Sequence, residues 1–340
     1  MPRKPAKPKV GLQQPKATAK QSHGGVTFYE NKKVAVARTR MGLYSFDVAS
    51  EGGVVNRSMI ELFGQTQSGK TSLAGYIAAV YSTEHDGDIA WCQTETIARE
   101  YMATMFRYAG YDGGVYMAEE SKEVKGEQVA ATSVDMIDSW IARFKTSTIT
   151  AGVIDSIGGI APPGILEGSV GDSHMGRQAL VVKNTLMALI AWQRNKAKSN
   201  IVVMTNHMHS NIGGPGYTTS GGQAMQYYPD TKVRMWPEKK NEDGSLVVRG
   251  RFEKLKNKVP AHGHREFLFV IVPGKTGVHP GLTAVVDLES YGLLTLGTSV
   301  NYNGRKYPSF PKMVERAEED DLFTPFIEGI YGKDPGGLNT

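Results

Sequence analysis

Apolar residues in this chain gather into short dense runs, and each run ends on polar side chains. Met59-Ile60-Glu61-Leu62-Phe63 leads into a glycine-rich stretch, and Asp88-Ile89-Ala90-Trp91-Cys92 ends at Gln93-Thr94-Glu95. Thr150-Ala151-Gly152-Val153-Ile154 ends at Asp155-Ser156, and Ile201-Val202-Val203-Met204-Thr205 ends at Asn206-His207. Nearly continuous apolar runs of this length predict strands buried on both faces. Between them lie segments of helical composition, 72–79, 97–109 and 176–198. In the last, Leu180, Val181, Leu186, Met187 and Ile190 form the expected buried stripe. Alternation of strand and helix predicts an α/β fold with a mostly parallel central sheet and right-handed crossovers.

Beyond residue 230 the pattern changes. Lys232-Val233-Arg234-Met235 and Leu246-Val247-Val248-Arg249 flank the polar segment 239–244, which predicts an antiparallel hairpin, and Phe267 to Val272 reads as a further strand. The core therefore carries an antiparallel extension. Ahead of the core, Val26–Tyr29 and Val34–Ala37 read as short strands, and residues 290–340 as a small C-terminal α/β module with a helix near 310–330. The expected division is a tail over 1–25, an N-terminal segment over 26–55, a core over 56–289 and the C-terminal module. Two glycine-rich stretches, 158–171 and 211–222, are long for connections, which marks working loops or disordered ones.

Composition narrows the class. The 340 residues are 40% hydrophobic and 21% charged, the balance of a soluble globular chain. No apolar run is long enough to span a bilayer and the N-terminus lacks a signal-peptide segment, so a cytoplasmic protein with no membrane partner is expected. The single cysteine, Cys92, excludes an internal disulfide. Net charge is +5, but six of the 39 basic residues fall within 1–29, where no acidic residue occurs, leaving 33 against 34 acidic elsewhere. That basic segment is expected to be disordered, either holding nucleic acid or an acidic partner or simply solubilising the chain.

The first strand run opens onto Gly64-Gln65-Thr66-Gln67-Ser68-Gly69-Lys70-Thr71, a complete phosphate-binding loop followed by helical residues from Ser72. Its backbone N–H groups cradle a triphosphate, Lys70 reaches the β/γ-phosphates and the Thr71 hydroxyl ligates Mg²⁺. ATP and Mg²⁺ are the expected cofactors. In an open parallel sheet ligands bind beyond the carboxyl ends of the strands, where the other polar run-ends fall. Asp155 stands where a carboxylate holds Mg²⁺. Glu95 is a candidate to orient the attacking water or, alternatively, a solvated helix-start carboxylate. His207 is a candidate γ-phosphate sensor or a strand cap.

The segment Leu166-Glu167-Gly168-Ser169-Val170-Gly171-Asp172-Ser173-His174-Met175-Gly176 strongly resembles the first DNA-facing loop of the RecA-like strand-exchange recombinases. Thr218-Thr219-Ser220-Gly221-Gly222-Gln223-Ala224 resembles the end of their second loop, and Lys256-Asn257-Lys258 a further family element. With the phosphate loop, Glu95 and Asp155-Ser156, these stand in family order from about residue 40 to 290, and Asn206-His207 is closer to the phage UvsX branch than to bacterial RecA.

The resemblance implies a RecA-like ATPase core in an ATP-dependent recombinase. Such a protein forms a homo-oligomeric helical filament on single-stranded DNA and pairs it with double-stranded DNA, with single-strand-binding and loader proteins as further partners. It implies that Glu95 is the catalytic carboxylate, that His207 replaces the family's glutamine switch, and that Lys256 and Lys258 reach a neighbouring subunit's ATP. It implies DNA-binding loops near 158–176 and 208–223, with Met175, Arg177, Tyr217, Gly221 and Gly222 as contacts, Tyr101 beside the adenine, and 26–55 in subunit packing. Here Arg177 follows Gly176 directly, and the second loop carries Gly213-Gly214-Pro215-Gly216-Tyr217 in place of the family's phenylalanine. A ring-forming motor on the same core, or a nucleotide-gated DNA-binding scaffold with little turnover, are the rival readings.

Overall fold

The structure is a computed structural model that describes residues 19–23, 26–30, 37–95, 97–124, 127–146, 148–161, 175–195, 199–210, 216–255, 265–290, 299–302, 305–308 and 316. The chain divides into two compact units, 1–37 and 38–340. In the first, Ala19–His23 pairs antiparallel with Val26–Glu30. Five residues that composition assigns to the tail are thus a strand, and the intervening Gly24-Gly25 is a favoured hairpin-turn pair. The expected strand at Val34–Ala37 falls almost wholly outside the described residues, and so does nearly all of the helix expected near 310–330.

The second unit is built on a ten-stranded sheet. In chain order its strands are β1 (Met59–Gly64), β2 (Asp88–Gln93), β3 (Val115–Met117), β4 (Ile149–Asp155), β5 (Ile201–Ser210), β6 (Tyr217–Thr219), β7 (Thr231–Lys240), β8 (Leu246–Lys254), β9 (Glu266–Val272) and β10 (Gly277–Val278). In space they run β10-β9-β8-β7-β1-β5-β4-β2-β3, with β6 folded back antiparallel on β5. From β7 to β3 every pairing is parallel. From β7 to β10 every pairing is antiparallel. The mostly parallel core and its antiparallel extension are as the apolar pattern predicts.

Both faces of the parallel half are covered. Alternate residues divide between two cores: Ile201 and Val203 pack with Ile60, Leu62 and Trp91 on one side, and Val202 and Met204 with Met59, Ala90 and Cys92 on the other. Helix α2 (Lys70–Glu84) fills the first side, and Leu73, Ala74, Ile77 and Ala78 on it are fully buried. Helix α3 (Arg99–Tyr108) packs on α2. On the second side lie α4 (Ser133–Phe144) and α5 (Met175–Asn195). The start of α4 is fixed by a capping box in which the Thr132 hydroxyl accepts from the Asp135 amide and the Asp135 carboxylate accepts from the Thr132 amide. Trp140 then donates its indole N–H to the Ala90 carbonyl at 2.8 Å.

The stripe on α5 differs from expectation. Val182, Leu186 and Leu189 are the fully buried positions, with Val181 and Ile190 packed at their margin. Leu180 and Met187 are 56% and 49% exposed. Those two are seven residues apart and share the opposite side of the helix, so the periodicity carries two apolar faces and only one meets the sheet.

Helix α6 (Ala224–Tyr227) is a single turn after β6, and helix α7 (Pro280–Ser290) closes the antiparallel end against β9 and against α1 (Tyr44–Ala49). Asp287 on α7 is fully buried, and its Oδ2 accepts the Ser45 amide hydrogen at 3.0 Å. Burial, opposed by the Ser45 hydrogen bonds and reinforced by Asp47, pushes its carboxyl up to about 7. An aspartate in the unfolded chain titrates at about 3.9. Between those values the unfolded chain has released a proton that the folded chain keeps, so stability falls as pH rises from about 4 to about 7 and then levels. Asp287→Asn should remove that fall, worth at most about 4 kcal/mol, in denaturant titrations run at both ends of the window. An unchanged fall in the variant would assign it to another group.

Candidate active site

The phosphate loop needs glycine at two places, one for a close approach of backbone and one for a left-handed conformation. A Cβ on Gly64 would lie 2.2 Å from the Met235 carbonyl oxygen of the neighbouring β7. Gly69 takes φ 78° and would put a Cβ 2.2 Å from the Ile271 side chain. The chain thus leaves β1, turns through Gln65 to Gly69 and enters α2 at Lys70, whose N-terminal turn aims unpaired N–H groups and the positive end of the helix dipole outward.

A cavity of about 770 Å³ opens at this turn. Thr66 to Ser72 line one wall, with Glu95, Tyr101, Asp155, Thr205 and His207 around it. The parallel register brings these strand ends together: Asp155 of β4 pairs with Gln93 of β2, and His207 of β5 with Gly64 of β1. Pro237, Lys240 and Leu246 of the β7–β8 hairpin and Ile271 of β9 also line it. Those four, like Thr205, escape a reading by motif. Thr205 was reachable as the residue before a polar strand end, whereas the hairpin residues arrive only through strand order.

Asp155 is the buried centre of the constellation. The Thr71 hydroxyl donates to its Oδ2 at 2.9 Å and the Thr205 hydroxyl donates to its Oδ1. Burial pushes its carboxyl up, more than these hydrogen bonds and Lys70 pull it down. A hydroxyl and a carboxylate held together in this way are the hard oxygen donors that Mg²⁺ takes. The Lys70 ammonium turns back on its own loop, donating to the Gln65 carbonyl at 2.7 Å and the Gly64 carbonyl at 3.3 Å. Burial pushes it below its ordinary value against the pull of Glu95 and Asp155. A buried cation beside a loop of backbone donors fits a polyanion.

Glu95 sits at the rim, about half exposed. Its Oε1 accepts from the Ser156 hydroxyl at 2.5 Å and lies 2.7 Å from His207 Nε2. Burial pushes the Glu95 carboxyl up, but those two hydrogen bonds, with the charges of His207 and Lys70, outweigh it and hold the group below the ordinary carboxylate range. Ser156 is itself fixed by Thr94, whose hydroxyl accepts from the Ser156 amide and donates to the Ser156 carbonyl, both at 2.8 Å. The peptide between Asp155 and Ser156 is cis. Tyr101 lies in the cavity wall with its hydroxyl 3.1 Å from Ser72 Oγ.

The remaining expected residues divide. Lys256, Lys258 and the stretch 162–174 lie outside the described residues. Met175 begins α5, and Arg177 is exposed within its first turn. Tyr217 on β6 is partly exposed, with the Arg234 guanidinium 4.7 Å above its ring and Phe63 5.5 Å away. Gly221 is buried, where a Cβ would come within 2.8 Å of Met225 and 3.0 Å of Val182. Packing accounts for that glycine, whereas Gly222 is exposed.

A family model described as the RecA N-terminal domain matches residues 16–276. The chain is similar to Protein RecA of Syntrophobacter fumaroxidans, 27% identical over 293 residues covering 82% of this chain and 77% of that protein. It is also similar to Protein RecA of Geobacter metallireducens, at 28% over 321 residues covering 86% and 87%. Protein RecA of Salinispora arenicola is 29% identical over 283 residues, covering 81% and 76%.

If His207 helps depress Glu95, then His207→Ala should raise the titration midpoint of the Glu95 carboxyl towards the ordinary range. Side-chain carboxyl NMR across an acid titration checks this, and an unmoved midpoint would assign the depression to Ser156 and Lys70 alone.

Proposed function

The chain belongs to the RecA family, as a RecA-type recombinase, and from that premise we propose that its cavity is the site of a DNA-dependent ATPase. The observation that carries the proposal is the convergence of the phosphate loop, the Thr71–Asp155 pair and Glu95 on one cavity. The loop amides and Lys70 bind the β- and γ-phosphates of ATP, and Lys70 leaves the Gln65 carbonyl to do so. Thr71 and Asp155 hold Mg²⁺, which when bound neutralises phosphate charge. Glu95, its carboxyl held below the ordinary range, orients the water that attacks the γ-phosphate and takes up its proton. Ser156 and His207 hold that carboxylate in place. Tyr101 borders the adenine.

The remaining roles follow the family. Subunits assemble head to tail into a helical filament on single-stranded DNA, an open heterologous assembly. The loops at 158–176 and 208–223 line the DNA, with Met175, Arg177, Tyr217 and Gly222 as the contacts. Lys256 and Lys258 complete the neighbour's ATP site, which makes hydrolysis depend on assembly. Duplex DNA is the pairing partner, and single-strand-binding and loader proteins assist. The site of action is the cytoplasm of a bacterial or phage-infected cell.

Phosphate release should rise strongly with single-stranded DNA, and Lys70→Ala should abolish it; equal turnover with and without DNA would remove the proposal. A mixture of Lys256→Ala and Glu95→Ala subunits, each inactive alone, should recover part of the turnover, because some interfaces then join an intact lysine to an intact glutamate. No recovery in filaments shown to contain both would place the lysine outside the neighbour's site.

A further inference from the structure

Beneath the phosphate loop lies a buried ionic cluster that the catalytic reading leaves unused. Glu61 of β1 is wholly buried, three residues before Gly64. In the register of the sheet it pairs with Lys232 on β7 and with Met204 on β5, and Asn206 stands two residues beyond Met204 on the same face. The Lys232 ammonium is 2.9 Å from Glu61 Oε2, and also donates to the Met225 carbonyl at 3.0 Å. The Asn206 amide donates to Glu61 Oε1 and to the Ser220 carbonyl, both at 2.9 Å. Both acceptors lack hydrogens, so the amide has one workable orientation. The Thr219 side chain also hydrogen-bonds Glu61.

The cluster therefore joins two places. One is the strand that ends in the phosphate loop, and the other is the pair Thr219-Ser220 at the C-terminal foot of the second glycine-rich loop. Neighbouring residues face opposite ways along β5: Asn206 holds the foot of that loop, while His207 faces Glu95 in the cavity. A lone buried carboxylate pays a large desolvation cost and takes up a proton instead. Lys232 gives the strongest pull against that cost, by its charge and its hydrogen bond, although burial still pushes the Glu61 carboxyl up, and its ammonium also lies 5.3 Å from the Phe63 ring centroid, beside the loop strand.

We propose that Lys232 is a positioning residue: through Glu61 and Asn206 it fixes the foot of the second loop to the phosphate-loop strand, so that nucleotide in the cavity sets the loop's grip on DNA. This rests on the ATP and DNA reading above. None of the cluster's residues is among those that line the cavity, so loss of the Lys232 side chain should leave nucleotide binding alone and uncouple it from DNA.

The test measures affinity for labelled single-stranded DNA by anisotropy, with and without a non-hydrolysable ATP analogue, and analogue affinity separately. In Lys232→Met the gain in DNA affinity conferred by the analogue should fall about tenfold, while analogue affinity changes less than about twofold. Lys232→Arg should keep most of the gain. Glu61→Gln combined with Lys232→Met should restore it, since a glutamine carbonyl needs no cation to accept from Asn206. Retention of the full gain in Lys232→Met would overturn the proposal. So would parallel loss of analogue affinity, or a double variant no better than the single one. Should Lys232→Met fail to fold, the arginine and double variants decide by the same measure. Wild-type protein showing no analogue-dependent gain would instead remove the underlying ATP and DNA reading.

Discussion

Parallel pairing is the constraint on which the rest of this structure depends. Six strands from β7 to β3 point one way, and their backbone hydrogen bonds set where each ends relative to its neighbours. Glu95, Asp155 and His207 come from three separate segments spread over more than a hundred residues. They meet because β2 and β4 stop, and β5 passes, at one edge beside the phosphate loop of β1. A parallel sheet needs both faces covered, and the alternation of residues such as Ile201 and Val202 between two cores supplies that cover.

At that edge, charges are handled in two ways. Asp155 is buried and given two hydroxyl donors, Thr71 and Thr205, but burial, with the charge of Glu95, outweighs these and Lys70, so its carboxyl is raised. Glu95 is half exposed and tied to Ser156 and His207, so hydrogen bonding dominates and its carboxyl is lowered. Two carboxylates near one loop are thereby pushed in opposite directions by their environments. Glu61, deeper still, is the third case, a carboxylate with an ammonium at 2.9 Å whose pull burial still outweighs. Breaking such a pair from one side costs more than removing both partners, because it strands a charge in the interior.

Much of this was legible in the chain. The apolar runs mark four central strands to within a residue or so at their starts, and polar residues that follow three of them, Glu95, Asp155 and His207, line the cavity. Other elements had a signal that a run-based reading passes over. Helix α4 carries Thr132 and Asp135 at capping-box spacing, and Ile137, Trp140 and Phe144 along one face. Helix α7 begins at Pro280, a preferred first helical residue. On α5 the sequence is ambiguous in principle, since Leu180 and Met187 are as apolar as Val182 and Leu186.

By itself the amino-acid sequence determined the local things: where strands end, where glycine is required at the phosphate loop, and which residue types can hold phosphate, metal and proton. Local chemistry suffices for these because each depends on a few adjacent residues. Strand order, the buried face of α5, the hairpin wall at Pro237 and Lys240, and the pairing of Lys232 with Glu61 were decided only by the tertiary structure. Each depends on which strand lies beside which, and that is settled by the joint packing of segments distant in the chain.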